Sequence, residues 1–430
     1  MKERPEFYMT YESKTNSTIK SVLNYLSGAP FRVQHVLVAL AGLVIATAPD
    51  LRGQAQFEVG GRQVQIHSFA SQGFAYSDNN NFLTMNTSQG SFAMTDGGMN
   101  FSAKLSDKFR IGAQFYISNV GQLGKWRPQL DWAVADYRFK DWLGVRAGKV
   151  KTSLGLYNDT QDMGFLHTWA LLPQSLYPVD LRDVTISHMG GDIYGSIRLP
   201  AAGTFSYTGY AGASSDNPHS GYYYNTQDNG NPLSRVDRTM IGTDIRWNTP
   251  VDGLMLGYSW MYQKLVAEGN IPVAYNLPYR VDTRPPGRIV AAYADYSHGP
   301  LHFAGEYRRH SEEALAQSLV PQFSGYADLG DEGFFVSAAY RVAKKLEFGA
   351  YHSRYFVNSP QAKGLGTDHI YDQVAAARYD LTNFWNVKVE GHFMDGNGDR
   401  YSAHGFYGRS NPSGLQPKTN MLIIRTGWNF

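Results

Sequence analysis

Charged residues recur at alternating positions of this chain, and the chemistry they offer is electrostatic rather than catalytic. Asp136 and Arg146 flank a short turn at Lys140–Trp142, while Asp244, Glu306, Asp372, Arg378, Lys388 and Arg425 each sit on the polar side of an alternating segment. Counting from the nearest short turn brings all of them to a similar level. Fixed charges gathered around a narrow aqueous passage set an ion preference. A second group, Asp159, Asp162, His167, Asp180, Arg182 and Asp183, lies in one long irregular segment, Thr152–Met189.

Other chemistry has little support. With no Cys there is no thiolate ligand, disulfide or thiol nucleophile. There is no Gly-x-Ser-x-Gly elbow, no His-Glu-x-x-His and no glycine-rich phosphate loop. Asp395, Asn397 and Asp399 alternate like the opening of a calcium loop, but the glycine and distal glutamate of an EF-hand are missing, which favours a plain glycine-rich turn. Twelve scattered His and many Ser leave a hydrolase as the rival of another class, without a local motif behind it. No cofactor or metal is expected.

The elements that must position these charges are strands. Of the 430 residues, 14% are aromatic and only 18% charged, against about 25% in ordinary soluble domains. Period-two alternation recurs: Phe109, Ile111, Ala113, Phe115 and Ile117 against Arg110, Gly112, Gln114, Tyr116 and Ser118; Trp385, Val387, Val389 and Phe393 against Asn386, Lys388, Glu390 and Met394. The segments run to roughly ten residues, the length of a tilted transmembrane strand, with aromatics at their ends as in interfacial girdles. Backbone groups in lipid must be paired within the protein, and a closed barrel does this without an edge.

Connections alternate in length. Short ones fall at Ser106–Lys108, Lys140–Trp142, Pro200–Gly203, Asn248–Gly253, His298–Pro300, Val342–Lys344 and Thr382–Phe384; eight long ones separate them, the longest being Thr152–Met189. Fifteen connections predict sixteen strands, a size that leaves an aqueous channel. Past Ala350 the alternation sends His352 and Arg354 toward lipid, so a bulge is expected there.

Near the N-terminus, Val36–Ala48 is too short for a spanning helix, follows Arg32 and precedes a small-x-small site at Gly53-Gln54-Ala55. Residues 1–55 therefore read as an extension plus cleavable signal peptide, and 56–430 as the barrel. The leader carries six basic and four acidic residues of a chain whose net charge is +2, so the remainder is neutral. That neutrality gives no footprint for nucleic acid.

The last strand, Met421 to Phe430, alternates and ends in Phe, with Trp428 on the same face. It resembles the C-terminal signal by which outer-membrane barrels are recognised for assembly. Ala135–Gly155, a strand, a tight turn and a strand leading into the third long loop, resembles the phosphate-selective (O/P-type) porin superfamily. The resemblance implies a bacterial outer-membrane porin, an all-β transmembrane antiparallel barrel of about 16 strands, assembled by the barrel assembly machinery, surrounded by outer-membrane lipid and forming a homotrimer. It also implies that the third extracellular loop folds inward. Small hydrophilic solutes and ions would pass by diffusion. The constriction would be formed by Arg146, Asp136, Glu306, Arg378, Lys388 and Arg425 with Asp159 and Asp162 of the loop, and a basic wall facing the loop acids would give a weak anion preference. The alternative within the fold is a channel selective for phosphate or another anion, and the alternative of another class is an outer-membrane hydrolase.

Overall fold

The computed structural model describes residues 55–430 apart from 60, 216, 218, 229, 231, 272–276, 322–323, 358–367 and 398–404. The leader reading and Asp399 therefore lie outside the described residues. Among the described residues twenty strands form, numbered β1 to β20 in chain order. Sixteen of them close into an antiparallel barrel: β2 (Arg62–Ser77), β3 (Ser91–Lys104), β4 (Phe109–Val120), β5 (Gln129–Lys140), β6 (Leu143–Lys151), β7 (Ser187–Leu199), β8 (Gly203–Ser215), β9 (Leu233–Asn248), β10 (Leu254–Ile271), β12 (Gly287–His298), β13 (Leu301–Ser311), β16 (Asp331–Ala343), β17 (Leu346–Val357), β18 (His369–Asp380), β19 (Trp385–Asp395) and β20 (Lys418–Asn429). Each pairs with the next along the chain, and β20 returns to β2 in the register Phe69↔Asn429 to Ser77↔Met421.

All seven short turns expected from the sequence separate successive strands. Three contain a left-handed glycine, Gly203 at φ 82°, Gly253 at φ 78° and Gly299 at φ 58°, a region that side chains with a Cβ rarely adopt. The long connections gather at the opposite end. There β11 (Leu277–Thr283) pairs with the end of β10, β14 (Glu313–Ser318) with β11 and β15 (Gly325–Asp328) with β14, extending one side beyond the barrel. The short strand β1 (Ala55–Val59) pairs with β2.

The alternating apolar residues form the outer surface. Ile111, Phe115, Ile193, Ile241, Ile245, Val336, Phe393, Leu422 and Ile424 are all exposed there. Such a band faces hydrocarbon, where the backbone ladder is satisfied by neighbouring strands. At the seam, Trp428 stacks on Trp385 at 5.9 Å and Phe430 lies against Phe384 at 5.7 Å. Ser68 and Phe430 exchange two backbone hydrogen bonds of 2.8 and 2.7 Å.

The bulge expected past Ala350 does not form. β16 and β17 pair without interruption from Asp331↔Val357 to Arg341↔Glu347, and the irregularity sits at Arg341/Ala343, beside the short turn. His352 and Arg354 thus do point outward. Arg354 donates to His352 at 2.9 Å and lies over the rings of Phe334 and Tyr371 at 5.6 and 4.9 Å, contacts that stand in for water around its charge.

Candidate functional site

β6 and β7 are neighbours in the wall, so loop three, residues 152–186, leaves and returns at one place. Thr152 N donates to Ile186 O at 3.1 Å, and Asn158 ties both ends by donating to Thr152 O at 2.7 Å and Thr185 O at 2.8 Å. Between these ends the loop crosses the lumen.

Apolar packing seats it against one wall. Leu156, Tyr157, Trp169, Leu172, Leu176 and Tyr177 of the loop form a buried cluster with the inward residues Tyr293, Ala304, Phe335, Tyr351, Val374 and Ala376. Trp169 meets Tyr351 edge-on at 5.0 Å, and Tyr157 stacks on Phe335 at 5.9 Å. Strands β12, β13, β16, β17 and β18 therefore carry apolar residues on their inner face as well as their outer one. A solvent-filled lumen would not favour this; a loop covering it does.

Charged side chains of the wall complete the seating. Glu306 accepts from Leu156 N at 3.0 Å and from the Tyr177 hydroxyl; Glu390 accepts from Leu171 N at 3.0 Å and from Ala170 N. Arg378 donates to His167 O at 3.0 Å, Lys388 to Gly164 O at 2.5 Å and Trp169 O at 2.7 Å, and Arg425 to Ala170 O at 2.6 Å. Loop carbonyls and amides thus meet cations and carboxylates in pairs. Charge-assisted bonds of this kind are about twice as strong as neutral ones.

The opposite wall holds the loop acids. Asp162 pairs with Lys151 at 2.8 Å and accepts from Gln114. Burial opposes its charge, but Lys151 and Arg182 outweigh that and hold its carboxyl below the usual range. Arg182 makes a two-pronged contact to Asp131 at 2.9 and 2.7 Å over the face of Tyr116. Asp159 reaches Arg246 at 3.5 Å. His167 is buried, and that burial together with Lys388 pushes its imidazole down to about 4.

The expected basic wall is present in Arg378, Lys388 and Arg425, but it does not face both loop acids across open water. Its heads are engaged with the loop backbone. Asp162 does line one small cavity of about 20 Å³ with Lys388, Arg425 and Asp96, whereas Asp159 lies elsewhere beside Arg246. A second cavity of about 50 Å³ is lined by Asp96, Tyr116, Gln161, Arg182 and Arg425. Asp96 and Arg425 line both and pair at 2.7 Å. These spaces are water-sized to a few waters in volume.

Asp136 and Arg146 lie away from the loop, toward the short turns. Asp136 pairs with Arg110 at 3.0 Å and accepts from Tyr194 at 2.5 Å; Arg146 pairs with Asp192 at 2.9 Å. Here a cavity of about 330 Å³ opens, lined by Lys104, Lys108, Arg110 and Arg138 against Asp107 and Asp136. Alternation puts Glu390 and Arg110 on the polar face without showing their partners, loop amides for Glu390 and Asp136 for Arg110; Asp96, which pairs with Arg425, is not singled out by the sequence.

Asp244 is held by Ser259 at 2.5 Å and Tyr293 at 2.6 Å. Asp372 accepts from His392 at 2.8 Å, a pair that resembles the base of a hydrolase. The other ring nitrogen, however, is 3.6 Å from Glu390 rather than beside a hydroxyl, and loop three covers the group. Among the described residues no cluster of three or more His, Asp or Glu is placed to hold a metal ion.

No family model matches the sequence, and no curated protein is similar to it. Solved structures are similar in fold. An outer-membrane expressed OmpT of Vibrio cholerae superposes with a TM-score of 0.54 at 11% identity over 87% of this chain and 100% of that one. An anion-selective porin from Comamonas acidovorans gives 0.53 at 12% identity, covering 86% and 100%. A trimer form of the Vibrio cholerae OmpT, folded in vitro, gives 0.52 at 10% identity, covering 86% and 99%. The chain has the fold of a bacterial outer-membrane barrel, crossing the membrane with sixteen strands.

Proposed function

We propose that this barrel is an outer-membrane porin, through which small hydrophilic solutes and ions diffuse past loop three without a chemical step. The observation that carries the reading is the seating of loop three across the lumen, anchored to both walls by buried charges. The loop leaves only narrow spaces in a wide barrel, among them the small cavity lined by Asp96, Asp162, Lys388 and Arg425, and the solute path we propose runs through these spaces. Acids and bases on opposing sides of such a passage create a transverse field. A weak anion preference comes from the mouth near the short turns, where four cations face two carboxylates.

That mouth also favours a second reading, a channel selective for phosphate or another anion, although the similarity of Ala135–Gly155 to the O/P-type porins does not itself imply phosphate. The two differ in saturation. Conductance of the purified protein in planar bilayers should rise in proportion to chloride or phosphate concentration for a diffusion porin. A plateau with phosphate alone would favour the selective channel.

The same reading extends to the rest of the chain. Residues 1–55 act as leader, Trp428 and Phe430 belong to the signal read by the assembly machinery, and a homotrimer forms. Supporting the last point, His352 and Gln373 are paired on the outer face midway between the outward aromatics Phe356 and Phe348. Polar groups at that depth are costly against lipid and are better covered by a second copy.

A further inference from the structure

On the outer face of β10, β12 and β13, one cation stands at the first outward position beyond the apolar band. Lys264 follows Tyr262 on β10, Arg288 precedes Val290 on β12, and Arg309 follows Tyr307 on β13. All three are exposed. The register sets them in a diagonal row: Arg288 lies opposite Tyr262 on one side and Ser311 on the other, and Val290 lies opposite Arg309. Diagonal neighbours of this kind sit about 7–8 Å apart, within reach of long side chains converging on one group.

Their neutralisation is partial. Lys264 is 3.8 Å from the buried Asp282, and Arg309 lies opposite Glu332 in the register. Arg288 has no ion pair among the described residues. At the same end of β3, β5 and β7 the outward residues are instead Phe92, Leu130 and Met189, all exposed and apolar. Other outward cations occur at this end, such as Lys149 opposite Met189, but on β10, β12 and β13 three fall on neighbouring strands. They lie on the side of the long loops, just past the tyrosines, where hydrocarbon gives way to headgroups.

We infer that Lys264, Arg288 and Arg309 form a site for a phosphate-bearing lipid headgroup of the leaflet on the long-loop side. Guanidinium forks match phosphate oxygens in two-pronged fashion, and the lysine adds a point charge. The tyrosines below would pack on the acyl chains, with their hydroxyls at the headgroup level.

The test uses the whole protein in phosphatidylcholine nanodiscs doped with diphosphoryl lipid A. Retention of the lipid is read by native mass spectrometry. A cation near an anionic surface contributes roughly fivefold in binding, so Arg288→Gln with Arg309→Gln should reduce retention about thirtyfold. Lys149→Gln serves as the control. Lys149 is an outward cation on β6, and its ammonium already donates to Leu130 O at 2.6 Å. Conductance should stay unchanged in both variants, showing that the barrels are folded. Equal retention in the double variant and the parent would overturn the site. So would displacement of the lipid by millimolar inorganic phosphate, which would assign the cations to the free ion. Loss of oligomer with lipid retention intact would assign the face to a second copy instead.

Discussion

Arg425 on β20 and Asp96 on β3 pair at 2.7 Å across the intervening strand β2, at the seam where the barrel closes. The Ser71 hydroxyl accepts from Arg425 at 2.9 and 2.8 Å and contacts Asp96, so the strand between them takes part. Another nitrogen of Arg425 reaches Ala170 O in loop three. One side chain therefore joins barrel closure, the position of the loop and the charge lining two adjoining cavities.

Removing the acid of this pair should change ion preference. Asp96→Asn leaves Arg425 and Lys388 beside Asp162 as the only carboxylate of the smaller cavity. Its reversal potential in a salt gradient should move toward anion preference. The shift should be larger at about 0.01 M than at about 1 M salt, where the Debye length falls from about 30 to about 3 Å. A potential that does not move at low salt would show that Asp96 lies off the conducting path.

The seating of loop three can be loosened from its apolar side. Trp169→Ala removes the edge contact to Tyr351 and exposes the inner wall, at a cost of about 3–5 kcal/mol for a buried aromatic. Single-channel conductance and the size limit for neutral sugars should rise. Trimming Gly164–Leu172 should do the same more strongly, since it deletes the carbonyls held by Arg378, Lys388 and Arg425. Unchanged conductance in both would place the solute path away from the loop.

Acid should weaken the same seating through His167. Its imidazole titrates near 6.5 in a free loop and near 4 when seated, so the seated form binds fewer protons. Stability of the seated loop is therefore full above about 6.5, falls as pH drops toward 4, and is lower by about 3 kcal/mol at the acid end. Asp162, held below the ordinary carboxylate range, keeps its charge across this window. Gating noise should grow between pH 6.5 and 4 and be absent in His167→Gln. Equal noise in parent and variant would assign the acid response to another group.

Deleting Phe430 should impair closure and assembly together. The residue exchanges two backbone bonds with Ser68 and packs on Phe384. Heat-modifiable, folded protein in the outer membrane should fall several-fold, and normal yield would separate the C-terminus from assembly.

The barrel was readable because lipid imposes one rule along the whole chain. Phe109 to Ile117 and Trp385 to Phe393 alternate as a lipid face requires, and each short turn ends a strand where expected. The inner wall followed a different rule. Tyr293, Phe335 and Tyr351 point into the lumen because loop three covers them, a partner more than a hundred residues distant in sequence that alternation does not see. For the same reason Arg378, Lys388 and Arg425 could be placed on the inner face but not on their acceptors. The bulge expected near His352 failed on a similar point. Alternation alone makes an outward arginine costly against lipid, whereas the structure keeps Arg354 outward on aromatic rings.

Ion conduction along a restricted path with a weak bias toward anions is the proposal most open to direct test. The direct measurement is the reversal potential of purified protein in a planar bilayer under a potassium chloride gradient at low salt. A stable conductance reversing modestly on the chloride side is predicted, and neutralising Arg110 and Arg138 at the mouth should bring it toward zero. Reversal on the potassium side, or a sealed barrel with no conductance, would rule out an anion-biased porin.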